Sequence, residues 1–72
     1  MDIKEFYKKL GLRIKELREL QGYTQEKLSE KANLSTDYIG KIETNINNPG
    51  LIGLFKLIKA LNVSFGEFFK DF

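Results

Sequence analysis

Apolar residues recur near the N-terminus at intervals of three or four: Ile3, Phe6, Leu10, Ile14 and Leu17. Lys4, Glu5, Lys8, Lys9, Arg13, Lys15, Glu16 and Glu19 fill the positions between them. That pattern predicts an amphipathic helix over about Asp2 to Leu20. Gly11 weakens its middle and marks either a kink or the true start of a core helix. Gly22 suits a C-terminal cap. Thr24 is a good N-cap for a second, short helix, about Gln25 to Ala32, with Glu26 in the first turn where the helix dipole favours an anion. Leu28 and Ala32 share one face of it, and Asn33 tolerates the left-handed backbone of a tight turn.

Ser35 caps a third helix, Thr36 to about Glu43, with Ile39 and Ile42 facing inward. The stretch from Thr44 to Gly50 reads as a loop. A fourth helix, about Leu51 to Leu61, carries Leu54, Leu57, Ile58 and Leu61, and Asn62 stops it. Ser64 caps a last helix, Phe65 to about Lys70. No strand pattern or internal repeat stands out, so the fold class is all-α with five helices in a single domain.

Composition narrows the possibilities. A chain of 72 residues buries little surface and is marginally stable alone. It has no Cys and no His, so neither a disulfide nor a Cys/His zinc site is expected to support it. Helix packing, self-association or both must supply the stability. A hydrophobic content of 42% with 31% charged residues argues against disorder. The longest uncharged stretch, Thr44 to Phe55, contains three Asn, a Pro and two Gly, which excludes a membrane span there. The charged N-terminus lacks a signal-peptide core, so a cytoplasmic location is expected. With no paired-carboxylate context and no Gly-rich phosphate loop either, no enzyme activity, cofactor or metal is expected. The net charge of +2 is too small to indicate nucleic acid by itself.

Two successive short helices, each Ser/Thr-capped and joined by a three- or four-residue turn, carry the functional signal. A helix of about eight residues does not persist alone. A helix-turn-helix unit over about 24–43 resolves this by packing the pair together, which leaves the second helix free to enter a major groove about 12 Å wide. With Ile39 and Ile42 inward, Asp37, Gly40 and Lys41 face outward, and Thr36 and Tyr38 lie at the edges. Gly40 costs about 1 kcal/mol in helix propensity. Three readings stand open for it: close approach of DNA, close packing on helix 2, or simple tolerance. Asp37 and Lys41, spaced i,i+4, form either a solvated ion pair or part of a DNA-reading face.

The segments RIKELRELQGYTQEKLSEKANLS, YIGKIE, NNP and LIKALNVSFGEFF, spread over Leu10 to Phe69, resemble the lambda-repressor/Cro-type (Xre-like) helix-turn-helix regulators. The resemblance implies a compact five-helix DNA-binding domain and a sequence-specific regulator of transcription acting on double-stranded DNA. By position, Thr36, Asp37 and Lys41 fall where that family reads base edges. Thr24, Gln25, Ser35, Tyr38, Thr44, Asn45 and Asn47 fall where it touches the DNA backbone. Arg18 and Glu43 match a pair that ties helix 1 to the end of helix 3. The sequence departs from the family at Ser29, where Ala is usual, and at Asn33 and Asn45, where Gly is usual. A hydroxyl at Ser29 can bond back to a carbonyl. The loop lacks the Arg and Lys often found there.

Six Phe and three Tyr are hard to bury in one such domain. Ile52 and Phe55 lie off the core stripe of helix 4. Exposed apolar patches mark partner surfaces, so Ile52, Phe55, Phe65 and Phe69 are expected in a homodimer interface on helices 4 and 5, about 51–70. The family dimerises there. The competing reading is a protein-binding module on the same fold, such as an antitoxin or anti-repressor partner, since fold alone does not decide function.

Overall fold

A computed structural model describes all residues from Met1 to Phe72. Five helices follow one another: α1 (Ile3–Leu20), α2 (Gln25–Ala32), α3 (Thr36–Glu43), α4 (Leu51–Ala60) and α5 (Phe65–Phe68). Each boundary has a local cause. Asp2, Thr24, Ser35 and Ser64 each accept the backbone N–H three residues on, closing the starts of α1, α2, α3 and α5. At the end of α1, Gly22 adopts φ 75°. Its N–H donates to the Glu19 carbonyl and that of Tyr23 to the Arg18 carbonyl, a Schellman closure. Asn33, Asn45 and Asn62 all take positive φ, each just past the end of a helix.

Eleven buried apolar residues drawn from every part of the bundle form the core. Leu10, Ile14 and Leu17 come from α1, Leu28 and Ala32 from α2, and Ile39 and Ile42 from α3. Leu57 and Ile58 of α4, Leu61 at its cap and Phe68 of α5 complete it. Two expectations for α1 need correction. Ile3, placed on the apolar stripe, is exposed, because the packing partners of α1 reach no further back than Phe6, which is half-buried. Gly11 does not start the helix, which runs unbroken from Ile3 through it to Leu20. It is buried where α1 crosses α3, and a Cβ there would overlap the Ile42 carbonyl oxygen. Glycine is required by that close approach of two backbones.

α5 is shorter than its sequence pattern. Arg13 of α1 donates through Nε to the Phe68 carbonyl (2.9 Å) and through Nη2 to the Glu67 carbonyl (2.8 Å). Those acceptors would otherwise continue the helix. Beyond them, Phe69 and Phe72 fold back on Phe6: the Phe6 and Phe69 rings stack at 6.3 Å, and Phe69 and Phe72 meet edge-on at 4.9 Å.

Candidate nucleic-acid interface

The α2–α3 pair is built as two facing rows. On α2, Gln25 and Ser29 lie one turn apart; on α3, Thr36 and Gly40 do the same. The Ser29 hydroxyl lies 2.9 Å from the Thr36 hydroxyl, and the Gln25 amide lies over Gly40. The next row of α3, Asp37 and Lys41, points away from the buried Ile39 and Ile42. The turn between the helices is held by a bond from the Leu34 N–H to the Ser29 carbonyl at 3.0 Å. Thr24, Gln25, Ser35, Thr36, Asp37 and Lys41 thus lie on one structural unit. Its two helix starts carry N–H groups without intrahelical partners, which suit an anion.

The geometry narrows the open readings. A Cβ at Gly40 would sit 3.5 Å from the Gln25 Oε1, ordinary van der Waals contact, so packing on α2 does not require glycine here. Tyr38 is half-buried, its ring packed on the core and its hydroxyl set against Gly53 of α4. Asp37 and Lys41 form an ion pair of 3.0 Å in which both side chains remain substantially exposed. Such a pair contributes only a few tenths of a kcal/mol, so Lys41 can exchange this carboxylate for another acceptor at little cost. In the loop, Thr44 donates its hydroxyl to the Gly40 carbonyl at 2.8 Å, while Asn45 and Asn47 are exposed. Both the Ile46 and the Asn47 N–H groups turn back to the Lys41 carbonyl.

Behind these rows lies a buried charge pair. Glu43 accepts from Arg18 Nε at 2.7 Å and from Arg18 Nη2 at 3.0 Å, a bidentate arrangement. Arg18 Nη1 donates to the Tyr23 carbonyl at 2.7 Å, locking the α1–α2 turn to the same group. The Arg18 guanidinium is held above its ordinary pKa, first by the hydrogen bond to Glu43, against the opposing effect of burial. Glu43 also accepts from Gln25 Nε2 at 3.1 Å. The sequence pattern missed this third bond, because Gln25 and Glu43 sit on different helices and meet only through the α2–α3 crossing. It likewise missed the bond between Ser29 and Thr36.

The residues expected at a dimer interface separate into two groups. Ile52, Phe55 and Phe65 are exposed, and the Phe55 and Phe65 rings lie 5.8 Å apart on one apolar patch with the exposed Leu51 nearby in sequence. Phe69 is turned the other way, half-buried in the cluster with Phe6, Phe68 and Phe72, because Arg13 ends α5 just before it. No group of three His, Cys, Asp or Glu side chains is placed to hold a metal ion, and no helix is long and apolar enough to cross a membrane.

Comparison with known proteins agrees with this architecture. The helix-turn-helix family profile matches residues 14–68. The transcriptional regulator ImmR of Bacillus subtilis is 38% identical over 55 residues, covering 76% of this chain and 43% of that protein. The immunity repressor protein of Bacillus phage phi105 is 43% identical over 54 residues, 75% of this chain and 38% of that protein. The chain therefore spans about two fifths of the length of these curated relatives. The restriction–modification controller protein C.Esp1396I, solved as a tetramer in complex with its natural 35 base-pair operator, superposes with a TM-score of 0.87 at 36% identity. That alignment covers 97% of this chain and 90% of the controller. Together with the capped α2–α3 unit and the five-helix order, these matches place the chain in the helix-turn-helix family, in its lambda-repressor/Cro-type (Xre-like) branch.

Proposed function

We propose that the protein is a sequence-specific regulator of transcription that binds double-stranded DNA through α3 and acts as a two-fold dimer on an inverted-repeat operator. One observation carries the reading. The face of α3 opposite the fully buried Ile39 and Ile42 is polar and exposed, on a fold that matches an operator-bound controller over nearly its whole length. Thr36, Asp37 and Lys41 read base edges, while Thr24, Gln25, Ser35, Tyr38, Thr44, Asn45 and Asn47 hold the phosphate backbone. The exposed Ile52, Phe55 and Phe65 form the dimer contact. A single recognition helix reads too few base pairs to select a site in a genome, and a two-fold dimer sets two copies in successive major grooves about 34 Å apart.

The test is binding to duplex DNA across a salt series, followed by selection from a random library. Affinity falls steeply with salt, because each neutralised phosphate releases counterions. The selected sites are inverted repeats with half-site centres about one helical turn apart. Weak binding at every salt concentration, without enrichment of any sequence, overturns the proposal and favours a protein-binding module.

A further inference from the structure

The hydroxyl of Ser29 has one proton, and the structure shows where it goes. Ser29 Oγ lies 2.6 Å from the Glu26 carbonyl oxygen. A carbonyl has no proton to give, so a contact this short between two oxygens requires the Ser29 proton between them. Ser29 Oγ also lies 2.9 Å from Thr36 Oγ1. With the Ser29 proton committed to the carbonyl, the proton in this second contact must come from Thr36. Ser29 is buried and its rotamer is fixed by the backbone bond, whereas Thr36 is exposed at the first position of α3. The chain Thr36 O–H to Ser29 O–H to Glu26 C=O therefore has a single direction.

We infer that Ser29 is a specificity-determining residue that makes Thr36 a pure hydrogen-bond acceptor toward DNA. A free threonine hydroxyl rotates and pairs with either a donor or an acceptor on a base edge. Thr36 has lost that freedom, because its proton points back into the protein. Only its lone pairs face the groove. The major-groove groups that donate to a lone pair are the exocyclic amines, N6 of adenine and N4 of cytosine. Guanine and thymine offer acceptors at the corresponding edge, and these face the Thr36 oxygen without a proton between them. Thr36 therefore selects an amine-bearing base on the strand it contacts. The selectivity is imposed by a residue that touches no DNA. The inference rests on the proposal that Thr36 reads a base, and it adds the chemical class of that base.

The experiment is selection of sites from a random duplex library by the full-length protein and three variants, Ser29→Ala, Thr36→Ser and Thr36→Val, each first checked for folding by circular dichroism and thermal melting. Alanine suits a helix interior better than serine, so Ser29→Ala keeps the fold. For the unaltered protein, one position in each half-site favours adenine or cytosine over guanine or thymine by about fivefold to tenfold, as one net hydrogen bond allows. Thr36→Ser keeps the hydroxyl and keeps the preference. Ser29→Ala frees the Thr36 proton, and the preference at that one position falls to within about twofold while other positions stand unchanged. Thr36→Val removes the oxygen and abolishes the amine preference. Enrichment by the unaltered protein with a Ser29→Ala profile identical to it overturns the inference and leaves operator binding intact. A guanine or thymine preference that tracks Thr36 also overturns it. No enrichment by the unaltered protein refutes operator binding, and the inference falls with it.

Discussion

Replacing Glu43 with alanine tests how α2 and α3 are held against α1. The carboxylate accepts three hydrogen bonds, two from Arg18 and one from Gln25. Only 2% of the Glu43 side chain and 11% of the Arg18 side chain reach solvent, so truncation leaves a guanidinium in a site from which water is excluded. Arg18 keeps only its bond to the Tyr23 carbonyl. Removing one partner of a buried pair costs about 3–5 kcal/mol. At about 0.05–0.15 kcal/mol per residue, a domain of this length has about 4–11 kcal/mol in total, so the loss is a large share of the fold's stability. With about 4–8 °C per kcal/mol for a domain of this size, the melting temperature falls by at least about 12 °C. The double variant Arg18→Met/Glu43→Leu strands no charge and retains much more stability than Glu43→Ala. Urea unfolding of Arg18→Met, Glu43→Leu and the double variant gives the coupling. Additive losses, within about 0.5 kcal/mol, would refute direct coupling through the pair. Because the folded-state pKa of Arg18 is raised, its contribution is complete below the unfolded value and lost only as pH rises through the folded one. Arginine titrates so high that Arg18 adds no pH dependence to the coupling between neutral and mildly alkaline solution.

Three further outcomes follow from the packing. Lys41→Ala relaxes the preference at one base position and lowers specific affinity by about 1–3 kcal/mol, while nonspecific binding changes little; an unchanged selected site would remove Lys41 from the reading face. Phe55→Lys withdraws about 1.5–3 kcal/mol of apolar burial from each protomer of a two-fold dimer. The dimer dissociation constant measured by sedimentation then rises by about a hundredfold or more, with the monomer still folded; unchanged association would place the interface elsewhere. Gly11→Ala would gain about 1 kcal/mol at an exposed helix site, but here it forces α1 off the Ile42 backbone and destabilises by about 1–3 kcal/mol in thermal or urea unfolding; a stabilised variant would show that the crossing can open.

Much of the fold was legible because its signals are local. Thr24, Ser35 and Ser64 cap helices through bonds to backbone only three residues away, and Gly22 and Asn33 take left-handed backbone inside a single turn. The inward positions Ile39 and Ile42 follow from helical period alone. Arg18 and Glu43 were reached through family resemblance, and their pairing is seen in the structure. Other features depend on residues distant in sequence. Ile3 fits the apolar stripe, yet nothing in the bundle extends far enough to cover it. The end of α5 is set by Arg13, more than fifty residues earlier, and that early stop turns Phe69 inward.

The sequence by itself determined where the helices begin and end to within a few residues, which faces are apolar, and which family the α2–α3 unit resembles. These properties arise from backbone hydrogen bonding and periodicity over one or two turns. Only the tertiary structure decided that Gly11 is a crossing point, that Gln25 is bonded to Glu43, and that the Ser29 and Thr36 hydroxyls meet across the α2–α3 pair. Those depend on the angle and depth at which helices cross. That geometry is set by the summed packing of the whole core, and no local window of sequence contains it.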